Sequence, residues 1–126
     1  MTDDKERTGR TTRIIRAAID AAMEKQGAVV TFIGYSHSLV NHDTSVFLSE
    51  LNYRGLNWIH NRPNRFIHII ENGSMIRLLS YESGVRRCLE GCRSRVFVDH
   101  AVAGRMTDEE AAFCLFWDGD KQKERT

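Results

Sequence analysis

The chain has 126 residues, which is enough for one domain of ordinary size and too short for two. Hydrophobic residues make up 41% and charged residues 28%, a balance that favours a packed core over wholesale disorder. The formal net charge of +1 excludes a uniformly basic nucleic-acid coat and an acidic mimic of DNA. Arg supplies 14 of the 18 basic residues, and its planar guanidinium binds phosphate and carboxylate groups through two hydrogen bonds at once.

The sequence gives no sign of a membrane or secreted protein. No apolar run approaches the roughly 20 residues of a membrane helix, and residues 1–5 lack the apolar segment of a secretory signal. Cys88, Cys92 and Cys114 are too few, and odd in number, for a disulfide framework. They also lack the paired spacing of a zinc knuckle, so a site formed with His100 is a weak alternative. We expect a cytoplasmic protein with no membrane partner.

The first half of the chain predicts a helix, a strand and a second helix. Residues 9–26 place apolar side chains at three- and four-residue spacing, with Arg16 and Asp20 as an exposed pair and Gly27 as the C-terminal stop. The apolar face comprises Ile15, Ala18, Ile19, Ala22 and Met23. Residues 28–33 form a continuous β-branched run, typical of a strand buried on both faces. After a polar loop, Asp43 is the expected N-cap of a helix over 44–54, which Gly55 ends.

The second half predicts a hairpin and a further buried strand. Residues 65–71 and 75–79 form two strands joined by Asn72-Gly73, the usual pair of a type I′ turn. A short helix over 84–92 and a strand over 95–99 follow, and a capping box at Thr107 opens a last helix that runs to Trp117. Residues 1–117 are expected to form one α/β domain, and 118–126 a polar flexible tail.

Two motifs bear on chemistry. The run Thr8-Gly9-Arg10-Thr11-Thr12 opens the first predicted helix, and it resembles the end of a Walker A loop in which Arg10 stands where Lys is usual. The apolar strand Val96-Phe97-Val98 ends on Asp99, as a Walker B strand does when its carboxylate reaches Mg²⁺. His100 follows, where an active ATPase commonly has the Glu that orients water.

The order of these segments resembles the ATPase core of phage large terminases and related helicase-like P-loop ATPases. The resemblance covers roughly residues 5–103 and also includes Val29 to Tyr35, Asn72 to Arg77 and Leu89 to Arg93. It implies a three-layer α/β domain with a mostly parallel sheet and one antiparallel hairpin near Asn72-Gly73. It further implies nucleotide binding by Gly9, Arg10, Thr11 and Thr12, with Mg²⁺ on Thr11 and Asp99 when ATP is bound. Asp99 and His100 are the candidate catalytic residues.

The departures from that family favour lost catalysis. Arg10 replaces the Walker A Lys, Asp4 stands in place of the leading Gly, and His100 replaces the catalytic Glu. Residues 1–4 are too few for the strand that precedes a P-loop, so a second copy or a partner is expected to cover the gap in the sheet. The leading hypothesis is a degenerate, non-catalytic and phage-encoded domain that acts as a protein-binding or regulatory module in the host cytoplasm.

Two alternatives stay open. The first is a nucleotide-binding or ATP-hydrolysing protein that a partner or second copy completes, with Arg10, Thr11 and Asp99 in the site and Lys5 or Arg7 as a displaced phosphate ligand. The second is nucleic-acid binding, because residues 54–106 carry nine Arg and four acids. Its candidates are Arg62, Arg65, Arg77, Arg86, Arg87, Arg93 and Arg95. A basic segment that is merely solvated, or paired with the acidic residues of 107–126, explains the same charge pattern.

Overall fold

A computed structural model describes residues 2–63, 65–83, 95–99 and 102, with side chains described from Thr11 onward and not for Ser83. The predicted helices over 84–92 and 107–117 and the predicted tail over 118–126 lie outside the described residues. So do His100, the three Cys residues and three of the candidate arginines, Arg86, Arg87 and Arg93.

The described chain is an α/β fold with two helices and five strands. The elements are α1 (Thr2–Glu24), β1 (Val29–Gly34), α2 (His37–Tyr53), β2 (Trp58–Asn61), β3 (Phe66–Ile69), β4 (Met75–Ser80), a 3₁₀ turn (Tyr81–Ser83) and β5 (Arg95–Val98). The strands form one open sheet in the order β2-β3-β4-β1-β5.

The sheet is mixed rather than mostly parallel. β1 runs parallel to both β4 and β5, whereas β3 is antiparallel to both β2 and β4. The expected mostly parallel sheet is therefore not confirmed. The expected three layers are not confirmed either, because both described helices pack against one another and against β1.

Helix α1 carries the predicted apolar face but begins earlier than predicted. It starts at Thr2 rather than near residue 9, and Ile15, Ala18, Ile19 and Ala22 are all buried. Gly27 ends the segment with a φ of +70°, the left-handed conformation expected there. The expected Arg16–Asp20 pair is wrong, because each side chain reaches α2 instead: Arg16 bonds to Glu50, and Arg54 bonds to Asp20.

The core lies between these helices and one face of the sheet. Residues 30–34 are all buried, as the continuous apolar run predicts. Phe32 of β1 meets Phe47 of α2 edge to face, with ring centroids 5.1 Å apart. Alternate residues of the neighbouring strands, such as Ile76, Leu78 and Phe97, complete the same cluster.

Helix α2 begins at a different cap from the one expected. Ser36 has an extended backbone (φ −127°, ψ 167°), and its hydroxyl accepts a hydrogen bond from the Leu39 N–H. Asp43, the expected N-cap, lies two turns inside the helix and is buried. Phe47 and Leu51 of this helix are fully buried.

The hairpin around Asn72-Gly73 exists, but its turn is not type I′. Gly73 has a φ of +69° while Asn72 does not have a positive φ, and a type I′ turn requires both. The Asn72 side chain instead accepts from the Ser74 N–H and donates to the Ala22 carbonyl, tying the turn to α1. Strand β2, which pairs with β3, was not predicted.

Strand β5 is found where it was predicted, over Arg95–Val98, with Asp99 directly after it. Within the described ranges, no helix is both long and apolar enough to cross a membrane.

Candidate functional site at the carboxyl end of the parallel strands

The polar cluster of interest lies where β1 and β5 end side by side. Gly34 closes β1, and Asp99 follows the last residue of β5. The Asp99 N–H donates to the Ile33 carbonyl at 2.9 Å, which continues the parallel ladder by one residue. In open α/β sheets, this end of the parallel strands is where ligands usually bind.

Thr11 of helix α1 contacts Asp99 and is the second member of this cluster. Its hydroxyl donates to Asp99 Oδ1 at 3.2 Å. Both side chains are buried, with 8% of Thr11 and 4% of Asp99 exposed. The contact brings together the two residues that the sequence predicts as the Mg²⁺ pair.

Asp43 of α2 is the third member of the cluster, and sequence reasoning missed it as a site residue. It is 1% exposed, and its Oδ2 atom has no hydrogen-bond partner within the described chain. Gly34 makes room for it, because a Cβ at Gly34 would lie 3.2 Å from Asp43 Oδ2 and 2.8 Å from Val40 Cγ2. A signal was present in the sequence: an Asp at a core-facing helix position is unusual in itself.

The Asp43 carboxyl keeps its proton to a higher pH than an ordinary aspartate. Burial, and secondly the charge of the neighbouring Asp99, raise the pKa of the Asp43 carboxyl to about 8. A proton on Asp43 therefore reduces the repulsion between the two neighbouring carboxyl groups, and the Thr11 hydroxyl already donates to Asp99. We name Thr11, Asp43 and Asp99 the carboxyl cluster.

The predicted phosphate loop has a different backbone from the one expected. Gly9, Arg10, Thr11 and Thr12 lie in the second and third turns of α1, because the helix begins at Thr2. N–H groups in a helix interior bond to the carbonyls four residues earlier and are not free to bind an anion. The expected helix N-terminus at Gly9 is therefore wrong, and Arg10 has no such N-terminus beside it.

A metal at the carboxyl cluster would need ligands from elsewhere. Across the described ranges, no group of three or more His, Cys, Asp or Glu side chains is arranged to hold a metal ion. Mg²⁺ commonly takes one or two carboxylates and completes its shell with phosphate oxygens and water. Thr11 and Asp99 fit the protein half of such a shell by type, but their burial leaves little access for the rest.

The predicted nucleic-acid arginines fall into separate places. Arg77 bonds to Thr31 on the sheet, and Arg95 forms an ion pair with Glu24. Arg62 and Arg65 lie together in the β2–β3 connection and line one pocket of about 420 Å³. Two aromatic residues of the same region differ in exposure: Tyr53 is 84% exposed, whereas Trp58 packs against the core.

We name that cavity the arginine pocket. Helix α2 contributes Asn41, Thr44, Ser45 and Leu48, and the β2–β3 region contributes His60, Arg62 and Arg65. The Leu78 N–H donates to the Arg65 carbonyl, which places this turn near the carboxyl end of β4. The pocket and the carboxyl cluster share helix α2, where Thr44 of the pocket follows Asp43 of the cluster, but no residue belongs to both.

No protein-family model, curated protein or solved structure matches this chain.

Proposed function

We propose that this chain is a non-catalytic, P-loop-like binding module. In it Thr11 and Asp99, the residues predicted to bind Mg²⁺, form a buried hydrogen bond that holds α1 to the end of β5, and we call this contact the latch. The observation that carries the proposal is the Thr11–Asp99 hydrogen bond at 3.2 Å, with a neutral Asp43 beside it. This arrangement ties α1 to the end of β5 without any ion, because the Thr hydroxyl supplies a donor to the carboxylate.

Three features support the loss of catalysis. The carboxyl cluster is buried, so the several water molecules that Mg²⁺ usually keeps have little access. Residues 9–12 lie inside a helix and present no row of free N–H groups to a phosphate. Arg10 stands where the family has Lys, and a planar guanidinium does not replace a compact ammonium between phosphates.

Phosphate release and calorimetric titration with Mg²⁺ and ATP test this proposal. We expect no turnover, and no heat of binding that depends on Asp99. Asp99→Asn keeps the size of the side chain and serves as the matched variant. Turnover or stoichiometric binding that Asp99→Asn abolishes would overturn the proposal in favour of the second candidate.

That second candidate is a nucleotide-binding protein that a partner or second copy completes. The observation that favours it is the unpartnered Oδ2 of Asp43, a buried oxygen beside the predicted Mg²⁺ pair. On this hypothesis Asp43 releases its proton when a cation binds. Cation affinity would then rise between pH 6 and pH 9, and Asp43→Asn would weaken it.

The surface that we expect to bind a protein partner is the free edge of β2, the outer strand of the described sheet. On the side away from β3, β2 has no strand beside it among the described residues, and Ile59 on it is 58% exposed. An outer strand with an exposed apolar residue readily pairs with another chain. We therefore expect self-association or partner binding through β2.

Light scattering across micromolar concentrations tests this surface. We expect concentration-dependent association that Ile59→Lys reduces, because a charge would be buried in the new strand pair. Val29→Lys is the control, since Val29 is 40% exposed and lies on β1, away from β2. A clean monomer at all concentrations would exclude self-association, and equal effects of both variants would exclude β2 as its surface.

A further inference from the structure

We propose that the arginine pocket is a binding site for a sugar-phosphate group, separate from the carboxyl cluster and independent of the function proposed for it. Arg62 and Arg65 would bind the phosphate, and the hydroxyl side chains of α2 would bind the sugar. The ligand is either a free sugar phosphate or the backbone of an RNA, because both present a phosphate beside a free sugar hydroxyl.

The charge of the pocket favours an anion. The described part of its lining contains two Arg and one His but no acidic residue. Arg62 is exposed and forms no ion pair with any part of the chain that the structure describes, whereas Arg54 and Arg95 both do. Burial, and secondly the charge of Arg62, lower the pKa of His60, so part of the lowering comes from positive charge at the pocket.

The hydrogen-bonding groups divide into two sets. Thr44 donates its hydroxyl hydrogen to the Val40 carbonyl and Ser45 donates to the Asn41 carbonyl, so each hydroxyl oxygen keeps lone pairs with which it can accept a hydrogen bond from a ligand. Arg62 and the side-chain amide of Asn41 supply donors. A phosphate accepts from such donors, and a sugar hydroxyl donates to such acceptors, so the pocket complements both halves of a sugar phosphate.

The backbone of Arg65 is the second independent observation. Its φ is +56°, the only positive φ among the non-glycine residues described. The other described residues with positive φ are Gly27, Gly55 and Gly73, where such a conformation costs little. A conformation that disfavours a side chain, held at a pocket, is typical of a binding residue. The Arg65 guanidinium also bonds to His37 at the start of α2, which fixes its direction.

The rest of the lining narrows the ligand class. The volume of about 420 Å³ lies in the range of small-molecule sites, roughly 300–1,000 Å³. Among the described residues that line it there is no aromatic ring, and Leu48 is the one apolar side chain. A nucleobase therefore has no surface on which to stack, whereas Arg, Asn, Ser and Thr are the residues that commonly contact the phosphates and sugars of nucleic acids.

Binding measurements with three probes test the proposal. The probes are inorganic phosphate, ribose 5-phosphate and a fluorescent single-stranded RNA, oligo-U, measured by calorimetry and anisotropy on the full chain. We expect ribose 5-phosphate or oligo-U to bind more tightly than phosphate. Arg62→Gln should weaken binding about tenfold or more, because a charge-assisted pair is lost. Arg16→Gln removes the same charge outside the pocket and should leave the affinity within about twofold, as exposed charges at a distance are screened.

Arg65→Gly separates binding from folding. Glycine accepts the positive φ, so the variant should melt close to the wild-type temperature while its affinity for the probe falls about tenfold. Tighter binding of oligo-U that weakens steeply with salt identifies an RNA backbone as the source of the ligand. Binding of ribose 5-phosphate alone identifies a free sugar phosphate.

Two results would overturn the proposal. One is the absence of binding by all three probes at millimolar concentration. The other is equal affinity in Arg62→Gln, Arg65→Gly and Arg16→Gln. Asp99→Asn distinguishes this site from the carboxyl cluster, because that variant should leave binding in the arginine pocket unchanged.

Discussion

The Thr11 hydroxyl donates to Asp99 Oδ1 at 3.2 Å across a separation of 88 residues. This hydrogen bond joins the first helix to the end of the strand that is last in the described order, β5. Because both residues are buried, each depends on the other for part of its polar bonding. The stability of the fold and the chemistry of the carboxyl cluster are therefore linked.

Replacing Thr11 tests the strength of that link. Thr11→Val keeps the shape of the side chain but removes the donor to Asp99, and it should lower the free energy of unfolding by about 1–3 kcal/mol. Thr11→Ser keeps the hydroxyl, so its free energy of unfolding should fall by clearly less. Denaturant unfolding of the two variants beside the wild type measures both values. Equal losses in Val and Ser variants would show that the hydrogen bond contributes nothing.

The pH dependence of stability tests the neutral state of Asp43. Between its ordinary pKa of 3.8 and about 8, the folded protein keeps a proton that the unfolded chain releases. The free energy of unfolding therefore falls as pH rises through this window and levels off above it. Asp43→Asn resembles the protonated acid and cannot ionise, so it should match the wild type near pH 4 and exceed its stability at pH 8 by on the order of one to a few kcal/mol.

Thermal melts across this pH range measure the difference between the two proteins. Asp20→Asn is the control, because Asp20 is an exposed acid paired with Arg54. Parallel stability curves for Asp43→Asn and the wild type would mean that Asp43 is ionised in the folded chain.

Gly34 should tolerate no larger side chain. In Gly34→Ala the new Cβ would lie 2.8 Å from Val40 Cγ2 and 3.2 Å from Asp43 Oδ2, so one neighbour must move at a cost of about 1–3 kcal/mol. Val40→Ala removes the closer atom. The double variant should therefore lose less stability than the sum of the two single variants. Strict additivity in chemical denaturation would contradict the close approach.

The ion pairs between the two helices should contribute little to the free energy of unfolding. Arg54 bridges Asp20 at 2.7 Å and Glu50 at 3.3 Å, and part of this network is exposed to solvent. Arg54→Met should lower the free energy of unfolding by roughly 0.5–1 kcal/mol at low salt and by less at high salt. Arg62→Met is the control, since Arg62 has no ion pair in the described chain. A loss that is unchanged by salt would point to packing of the Arg54 stem instead.

The parts of the fold that sequence predicts well are those set by local periodicity. The apolar face of α1, the buried strand β1 and the strand β5 each follow from their spacing of apolar residues, and the structure confirms them. The end of the first helical segment at Gly27 follows from the conformational freedom of glycine.

The parts that sequence missed depend on contacts between distant segments. Asp43 has the chemistry of an N-cap, but Ser36 takes that place and the carboxyl of Asp43 turns toward Asp99. Strand β2 is four residues long and acquires its conformation by pairing with β3. Asn72 departs from a type I′ turn because its amide bonds to α1. Thr11 and Asp99 were predicted as a pair through a family resemblance, whereas the core-facing position of Asp43 marks it as unusual without indicating which residues it lies beside.

A titration of the Asp43 carboxyl carbon by ¹³C NMR, with and without millimolar MgCl₂, tests the latch most directly. A closed, ion-free cluster predicts that Asp43 titrates at about pH 8, with the same midpoint in both solutions. A midpoint that falls by a unit or more in MgCl₂ would mean that a cation displaces the Asp43 proton. That result would contradict the latch and identify the carboxyl cluster as a metal site.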